Sequence, residues 1–416
     1  MDRRPVLPTF VWVIPLALVL FAGLTWLNYQ YAGDQQGAND FLPGWEGTRL
    51  YFTEGLSPYS QETTAEIQKM AYGRPAAAGE NPLNFTYPFY AILVFGPFAV
   101  LSDFALARAL WMSILEVSIL LIVITGVNLS RVRLHWLMYI ILAIFSVLWF
   151  PGIKSILDGN SSIVFALLVV VAFWAIYHEQ DALAATLLAL ASFRPQMILV
   201  LILFVLIWSL SRKRMTLFWG YLGVMALLIA ATSLLIPNWI FQYFRLIIEQ
   251  LGQIEIGTPR ALFLYYLPGI GNQLAWLLTM VSAVFLLWEW RLAAGMNYRW
   301  FLWAAYFSLV WTNMIGLPTS VENQIALLPA LILVLAVWDE RWGTLGRWLN
   351  GFSILLLSVG LWWLVIFYAG KNIPADLGPF TFFMVPVFMV AGLYWVRWWA
   401  IRSPRLPLQE ISERLG

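Results

Sequence analysis

The sequence predicts an all-α, polytopic integral membrane protein with about 12 transmembrane helices, the count falling between 11 and 13. Three observations carry this. Hydrophobic residues make up 61% of the 416 residues and charged residues 11%, with a mean hydropathy of +0.77, where a soluble chain carries about 25% charge. Apolar runs of span length recur between short polar connections. Lysine and arginine collect in alternate connections. So little polar material cannot cover an aqueous surface, so lipid must be the solvent for most of the chain.

The spans are read at 10–29, 105–127, 135–151, 161–177, 182–194, 196–210, 215–236, 273–290, 299–317, 323–338, 348–369 and 380–400. The first follows Met1-Asp2-Arg3-Arg4 and ends in Asn28-Tyr29-Gln30-Tyr31. It is too long for a signal-peptide core and lacks a small-residue cleavage site, so it is expected to be retained. Tyr87–Leu101 is apolar but short, opens with Tyr-Pro and contains Gly96-Pro97; it is expected to be re-entrant or interfacial. The runs 182–194 and 196–210 are short because Phe193-Arg194-Pro195-Gln196 breaks them. Proline disfavours helix at the residue before it and removes a donor. Polar residues at such a break suggest a water-filled or protein-lined cavity, where broken helices are tolerated at membrane depth. Trp12, Trp26, Trp208, Trp288, Trp290, Trp338, Trp398 and Trp399 fall near span ends, where an interfacial aromatic belt is expected.

With the N-terminus in the cytoplasm, the cytoplasmic connections hold Arg131 and Arg133; Arg212, Lys213 and Arg214; Arg291 and Arg299; Arg341 and Arg347; and, in the C-terminal tail, Arg402 and Arg405. The opposite side is much poorer in positive charge, as the positive-inside rule requires. The pattern holds only if Tyr87–Leu101 does not cross. It puts both termini in the cytoplasm of a membrane expected to be a prokaryotic plasma membrane. It leaves a long first extracytoplasmic loop at 30–104 with interfacial helices and a second large outer loop at 237–272, all within one domain, 1–416. Residues 60–72 are expected to form an amphipathic helix on the membrane with Ile67 and Met70 toward lipid. There is no cysteine, which excludes disulfides, thiolate metal sites and a cysteine nucleophile.

Polar chemistry gathers on the outer side. Asp34, Glu62, Glu66, Lys69, Arg74 and Glu80 read as ordinary solvated loop charge. Asp158, Arg194 and Glu322 sit at span ends beside apolar helices, where an ionised group is costly without a partner or water. Lys154, Asn160, Gln196 and Arg260 lie in the same set of connections, and Glu322-Asn323-Gln324 opens a late span. His135 and His178 fall on the cytoplasmic side and read as structural. No Asp-x-Asp motif and no soluble nucleotide-binding domain occur. No nucleic-acid partner is expected. A secondary transporter of a polar or anionic solute, which would also show broken helices and intramembrane charge, is the alternative to an enzyme. It fits less well, because the charge lies toward one face and the two halves show no sequence repeat.

Several short motifs follow one another in the first half. Asp40-Phe41 precedes the turn Gly55-Leu56-Ser57-Pro58-Tyr59. Phe85-Thr86-Tyr87-Pro88 follows, then Phe89, and the run closes at Leu110-Trp111. Gly159-Asn160 and the break Ser192-Phe193-Arg194-Pro195-Gln196 come next. In this order they resemble glycosyltransferase family 87, with its Asp, Gly-x-x-Pro-Tyr turn, Tyr-Pro-Pro segment, Gly-Gln segment and Lys-Pro break; Phe89 stands where a second proline is common, Asn160 for the glutamine and Arg194 for the lysine. The resemblance implies a membrane glycosyltransferase of the C type. It would move a mannose- or arabinose-like sugar from a polyprenyl-phosphate donor to a glycan or glycolipid acceptor at the outer leaflet, within membrane lipid, by an inverting displacement. It implies Asp40 as general base. Arg194 is the first choice for the donor phosphate, Lys154 and Arg260 the second. Asp158, Asn160, Glu322, Tyr59, Tyr87 and Gln196 would meet sugar or acceptor. No cofactor is demanded; a divalent metal is possible because carboxylates are present, but no ligand spacing requires one.

Overall fold

A computed structural model describes residues 10–34, 37, 39–77, 80–132, 134–251, 257–312, 314–315, 317 and 319–401. The described residues are helical with connecting turns, and each expected span coincides with a helix or helix pair. The chain opens with α1 (Phe10–Asp34), α2 (Leu42–Glu54), α3 (Gln61–Tyr72) and α4 (Ile92–Ala99), followed by α5 (Phe104–Ser130). Then come α6 (Trp136–Leu148), α7 (Phe150–Asp158), α8 (Ser162–Tyr177), α9 (Asp181–Ala191), α10 (Pro195–Ser211) and α11 (Met215–Leu235). The second half holds α12 (Trp239–Leu251), α13 (Pro259–Tyr266), α14 (Gly271–Ala293), α15 (Tyr298–Thr312) and α16 (Leu328–Trp342). It ends with α17 (Thr344–Leu355), α18 (Leu361–Ala369), α19 (Pro379–Trp395) and α20 (Arg397–Ile401).

Among the described residues, four helices are long and apolar enough to cross a bilayer: α5, α11, α14 and the continuous run Thr344–Ala369. The pair α6–α7, bent by 55°, would make a fifth. The shorter apolar helices include α8, α9, α10 and α19. These fall short for a local reason. Pro195 starts α10 and ends the run from α9, and Trp149-Phe150-Pro151 breaks α6 from α7. Phe89–Ala99 forms one short apolar helical stretch, about 16 Å long at 1.5 Å per residue, well under the roughly 30 Å hydrocarbon thickness.

The helix ends follow their sequence cues. Ser60 Oγ accepts the Thr63 N–H and caps α3 at 3.2 Å, and Gly55 and Gly73 close α2 and α3 with φ of +71° and +70°. In the bundle interior, α16 is buried along Leu328–Trp338 and α15 along Phe301–Thr312. α1 is held on α5 by a polar seam: Asn28 Nδ2 donates to Ser113 Oγ at 3.0 Å and to Glu116 Oε2 at 3.1 Å. Interhelical bonds of this kind replace a hydrophobic driving force that lipid does not supply.

The basic connections meet one another. Arg131 bonds Tyr177, Tyr298 donates to the Phe173 carbonyl at 2.8 Å, and Arg212 donates to the Gly295 carbonyl at 3.1 Å. Arg299 stacks over Trp399 and Arg341 over Trp398. Arg3, Arg4, Arg133, Arg402, Arg405 and Glu255 lie outside the described residues.

Two expectations are corrected. Trp208, Trp290, Trp338 and Trp399 are buried in the core, not placed in an interfacial belt, while Trp26 and Trp288 are exposed. Trp290 Nε1 donates to Ser308 Oγ at 2.8 Å, so the protein itself supplies the polar partner that a headgroup would. Ile67 is fully buried in the protein core, while Met70 is exposed. His135 caps α6 through the Leu137 N–H, and His178 bonds the Trp174 carbonyl, both local structural roles.

Candidate active site

Four chain segments meet at one end of the bundle: the turn before α2, the α7–α8 turn, the α9–α10 break and the turn before α16. Their junction starts from a glycine. Gly159 ends α7 with φ +69°, and a Cβ there would lie 2.6 Å from Phe41 Cβ. Its absence lets the Asp40-Phe41 backbone close on the turn. The Asp40 and Phe41 N–H groups donate to the Asp158 carbonyl at 3.1 and 3.3 Å. Phe41 stacks on Trp111 at 5.2 Å, and Trp111 Nε1 donates to the Gly159 carbonyl at 2.8 Å.

Arg194 organises the polar network. Its Nε donates to Ser161 Oγ at 2.8 Å, its Nη2 to Asn160 Oδ1 at 2.8 Å and its Nη1 to Asn323 Oδ1 at 3.4 Å. The guanidinium lies 5.5 Å from the Tyr87 ring centroid, and the residue is only 6% exposed. Because a guanidinium only donates, both amides are forced to turn their oxygens toward it. The Ser162 N–H also donates to Asn160 Oδ1, at 2.8 Å. Asn160 Nδ2 is then left to donate to the Asp40 carboxylate at 2.7 Å and to Asn323 Oδ1 at 2.9 Å. Asn323 Oδ1 also accepts from Ser162 Oγ at 2.7 Å, while its Nδ2 bonds no described residue. One buried cation thereby fixes the orientation of two carboxamides, and they leave a carboxylate and an amide donor at the surface of the network.

The other carboxylates ring this core. Asp158 pairs with Lys154 at 2.6 Å along α7. Ser155 Oγ donates to the Glu322 carbonyl at 3.0 Å, and Asp376 Oδ1 accepts the Val321 N–H at 2.7 Å, which ties the α16 approach to both α7 and the α18–α19 loop. Enclosure by protein is the main reason the Asp40 carboxyl is pushed up, to about 7; the Glu322 charge adds to it, and Arg194 works against it. Burial also raises Glu322, helped by the Asp376 charge, and raises Asp376. A carboxyl that titrates near neutrality suits proton transfer.

Asp40, Asn160, Arg194 and Tyr87 are thus brought together, with Lys154, Asp158 and Glu322 alongside. Tyr87 OH reaches the Asp40 carbonyl and Ser161 Oγ, both at 3.3 Å, and Tyr59 OH donates to the Tyr87 carbonyl at 2.7 Å. Gln196 is half-buried in the first turn of α10 and bonds none of them. Arg260 is exposed on α13, with its Nε donating to Asn272. Sequence reading overlooked Ser161, Ser162 and the bridging role of Asn323, and gave Asp376 no role. The visible signal was Asn160-Ser161-Ser162, three small polar residues at the head of an apolar helix. Among the described residues no group of three or more His, Asp or Glu side chains is placed to hold a metal ion.

The fold and site define a helical membrane protein with apolar helices fit to span a bilayer and a polar, carboxylate-bearing site where broken helices converge. The model of glycosyltransferase family 87 matches residues 85–312, more than half of the chain, and the chain belongs to that family. No curated protein and no solved structure matches it. The match takes in Tyr87, Asn160 and Arg194; Asp40, Glu322, Asn323 and Asp376 lie outside it.

Proposed function

We propose that this glycosyltransferase takes a mannose- or arabinose-like sugar from a polyprenyl-phosphate donor and gives it to a glycan or glycolipid hydroxyl on the extracytoplasmic face, with inversion. The observation that carries this reading is the Asp40 carboxylate, held by Asn160 and titrating near neutrality beside a buried arginine. In the reaction, the acceptor oxygen attacks the anomeric carbon and Asp40 takes its proton. The bond from that carbon to the phosphate oxygen breaks, and the electron pair leaves with the polyprenyl phosphate. Two cations serve the departing phosphate. Arg194 is engaged by three neutral acceptors, so its main work is to orient Asn160 and Asn323 and to supply positive potential. Lys154 is the more exposed of the two and is better placed to meet the phosphate directly. Asn323 Nδ2 and the Glu322 and Asp158 carboxylates would hold sugar hydroxyls. The basic connections on the other end of the bundle support a cytoplasmic placement for that end.

Purified protein in nanodiscs, given a panel of radiolabelled polyprenyl-phosphate sugars with and without acceptors, tests this. Sugar release or transfer from one donor, lost in Asp40→Asn, is the expected result and identifies the sugar. Folded protein that neither binds nor turns over any of these donors would overturn the lipid-donor reading.

A further inference from the structure

Helix α12 carries three distinct stripes, set by its 100° step per residue. Trp239, Tyr243 and Leu246 are buried against the protein. Gln242, Arg245 and Glu249 form a polar edge, and Arg245 pairs with Glu249 at 2.8 Å. On the side opposite the buried stripe, Phe241, Phe244 and Ile248 are 78%, 57% and 67% exposed. Three large apolar side chains aligned at i, i+3 and i+7 and pointing away from the protein require an apolar partner. The chain names that partner by continuity. α12 follows directly on α11, a candidate span whose last residues, Leu234 and Leu235, are also exposed. A surface that faces hydrocarbon along α11 therefore runs on into the exposed stripe of α12. The polar edge beside it, with an ion pair, is what a helix lying in the interface plane presents to headgroups and water.

The buried stripe, with Gln242 at its edge, touches the loops that build the site. Ser57 Oγ donates to Gln242 Oε1 at 2.6 Å, Tyr243 packs edge-on against Tyr59 at 6.2 Å, and Trp239 packs edge-on against Tyr90 at 6.0 Å. Tyr59 bonds the Tyr87 carbonyl, and Tyr90 OH donates to the Ser192 carbonyl at 2.8 Å, two residues before Arg194. We propose that α12 is seated in the lipid leaflet at the site's end of the bundle and forms the wall past which a lipid-borne substrate reaches Asp40. The wall role rests on the lipid-donor reading above; the seating does not.

The chain has no cysteine, so a single Phe244→Cys or Glu249→Cys variant of the full chain takes one nitroxide label. In proteoliposomes, the label at 244 is expected to collide severalfold more with oxygen, relative to a water-soluble nickel chelate, than the label at 249. Equal ratios, or nickel preference at 244, would overturn the seating. The wall role predicts that the Phe241→Ser/Phe244→Ser double variant raises KM severalfold for a long-chain polyprenyl-phosphate sugar, with kcat unchanged and a short-chain, water-soluble donor unaffected. An equal rise for both donors would overturn the wall role. Inactivity of the parent chain with every lipid donor would instead overturn the donor reading, with the label ratios still deciding the seating.

Discussion

Arg194, buried, and Arg397, partly buried, are partnered in opposite ways. Arg397 lies at the basic end, where its Nε and Nη2 bond Glu289 Oε2 at 3.2 and 2.9 Å, while Tyr394 OH donates to Glu289 Oε1 at 2.5 Å. Glu289 is 2% exposed. That pair is electrically closed, with a carboxylate and a cation in direct contact and a third group completing the shell. Arg194, at the other end, has a hydroxyl and two carboxamides as partners. None of these carries charge. Its nearest balancing group, Asp40, is reached only through Asn160. A closed pair satisfies itself and does structural work. A desolvated cation with neutral partners keeps a field that an incoming anion or a developing negative charge can use. The difference teaches that burial and hydrogen bonding alone do not separate a site from a staple; the charge state of the partners does.

The largest effect that tests this contrast is at Asp40. Asp40→Asn should lower turnover by about 10²–10⁴-fold, the usual worth of a general base. In the parent enzyme, kcat/KM should rise with pH and level off above about 7, where the carboxyl is ionised. Stability runs the other way. A carboxyl raised from its ordinary 3.8 to about 7 binds its proton more tightly in the folded than in the unfolded state. Its contribution to stability is therefore greatest at low pH and declines as pH rises through that window. The Tm of Asp40→Asn at pH 8 should equal or exceed the parent's. A lower Tm there would mean that Asp40 holds the fold together, and the contrast with Glu289 would fail.

Next in size is Arg194. Arg194→Ala should cost about 10²–10³-fold in kcat, on the scale of removing a preorganised electrostatic group. Arg194→Lys should retain part of the activity, because charge survives while the fork that orients Ser161, Asn160 and Asn323 does not. Equal activity in all three forms would show that the network needs neither charge nor geometry.

The closed pair should respond in stability alone. Glu289→Gln, which leaves Arg397 without its counter-ion, should lower stability by about 3 kcal/mol with kcat within twofold at a temperature where the variant is folded. Tyr394→Phe, which removes one donor from Glu289, should cost about 1.5 kcal/mol and leave turnover alone. Thermal unfolding and donor turnover measured side by side decide both. A kcat that falls with either would put the basic end into the mechanism and erase the distinction between the two arginines.

Much of the architecture was readable before any coordinates. Hydrophobic runs located the apolar helices, of which four, or five with the bent α6–α7 pair, are long enough among the described residues to cross a bilayer, because the bilayer leaves helices few ways to bury backbone polar groups. Pro195 announced the α9–α10 break, and the Asp40, Asn160 and Arg194 segments were legible as polar residues where apolar chain is the rule. Less legible were the residues whose roles depend on who approaches them. Ile67 reads as a lipid-facing residue of an amphipathic helix, yet it is buried in the core, where the chain after α3 returns to bond Gln68 and Tyr72 through the Pro82 and Asn81 carbonyls. The exposed apolar stripe belongs instead to α12, where the span before it delivers the helix to the same surface. Trp208 and Trp290 read as belt residues by position, but their indole N–H groups find partners inside the bundle.

By itself, then, the sequence determined that this chain is helical, that several of its helices are apolar enough to cross a bilayer, and that basic residues and carboxylates collect in different connections; those properties follow from hydropathy, helix length and charge, which are local. Tertiary structure alone decided that residues from 40 to 323 share one hydrogen-bond network, that Asn323 completes it, and that Arg194 points both carboxamides. Those properties depend on the close approach allowed at Gly159 and on which helix ends converge, and no periodicity in the chain encodes contacts between segments so far apart.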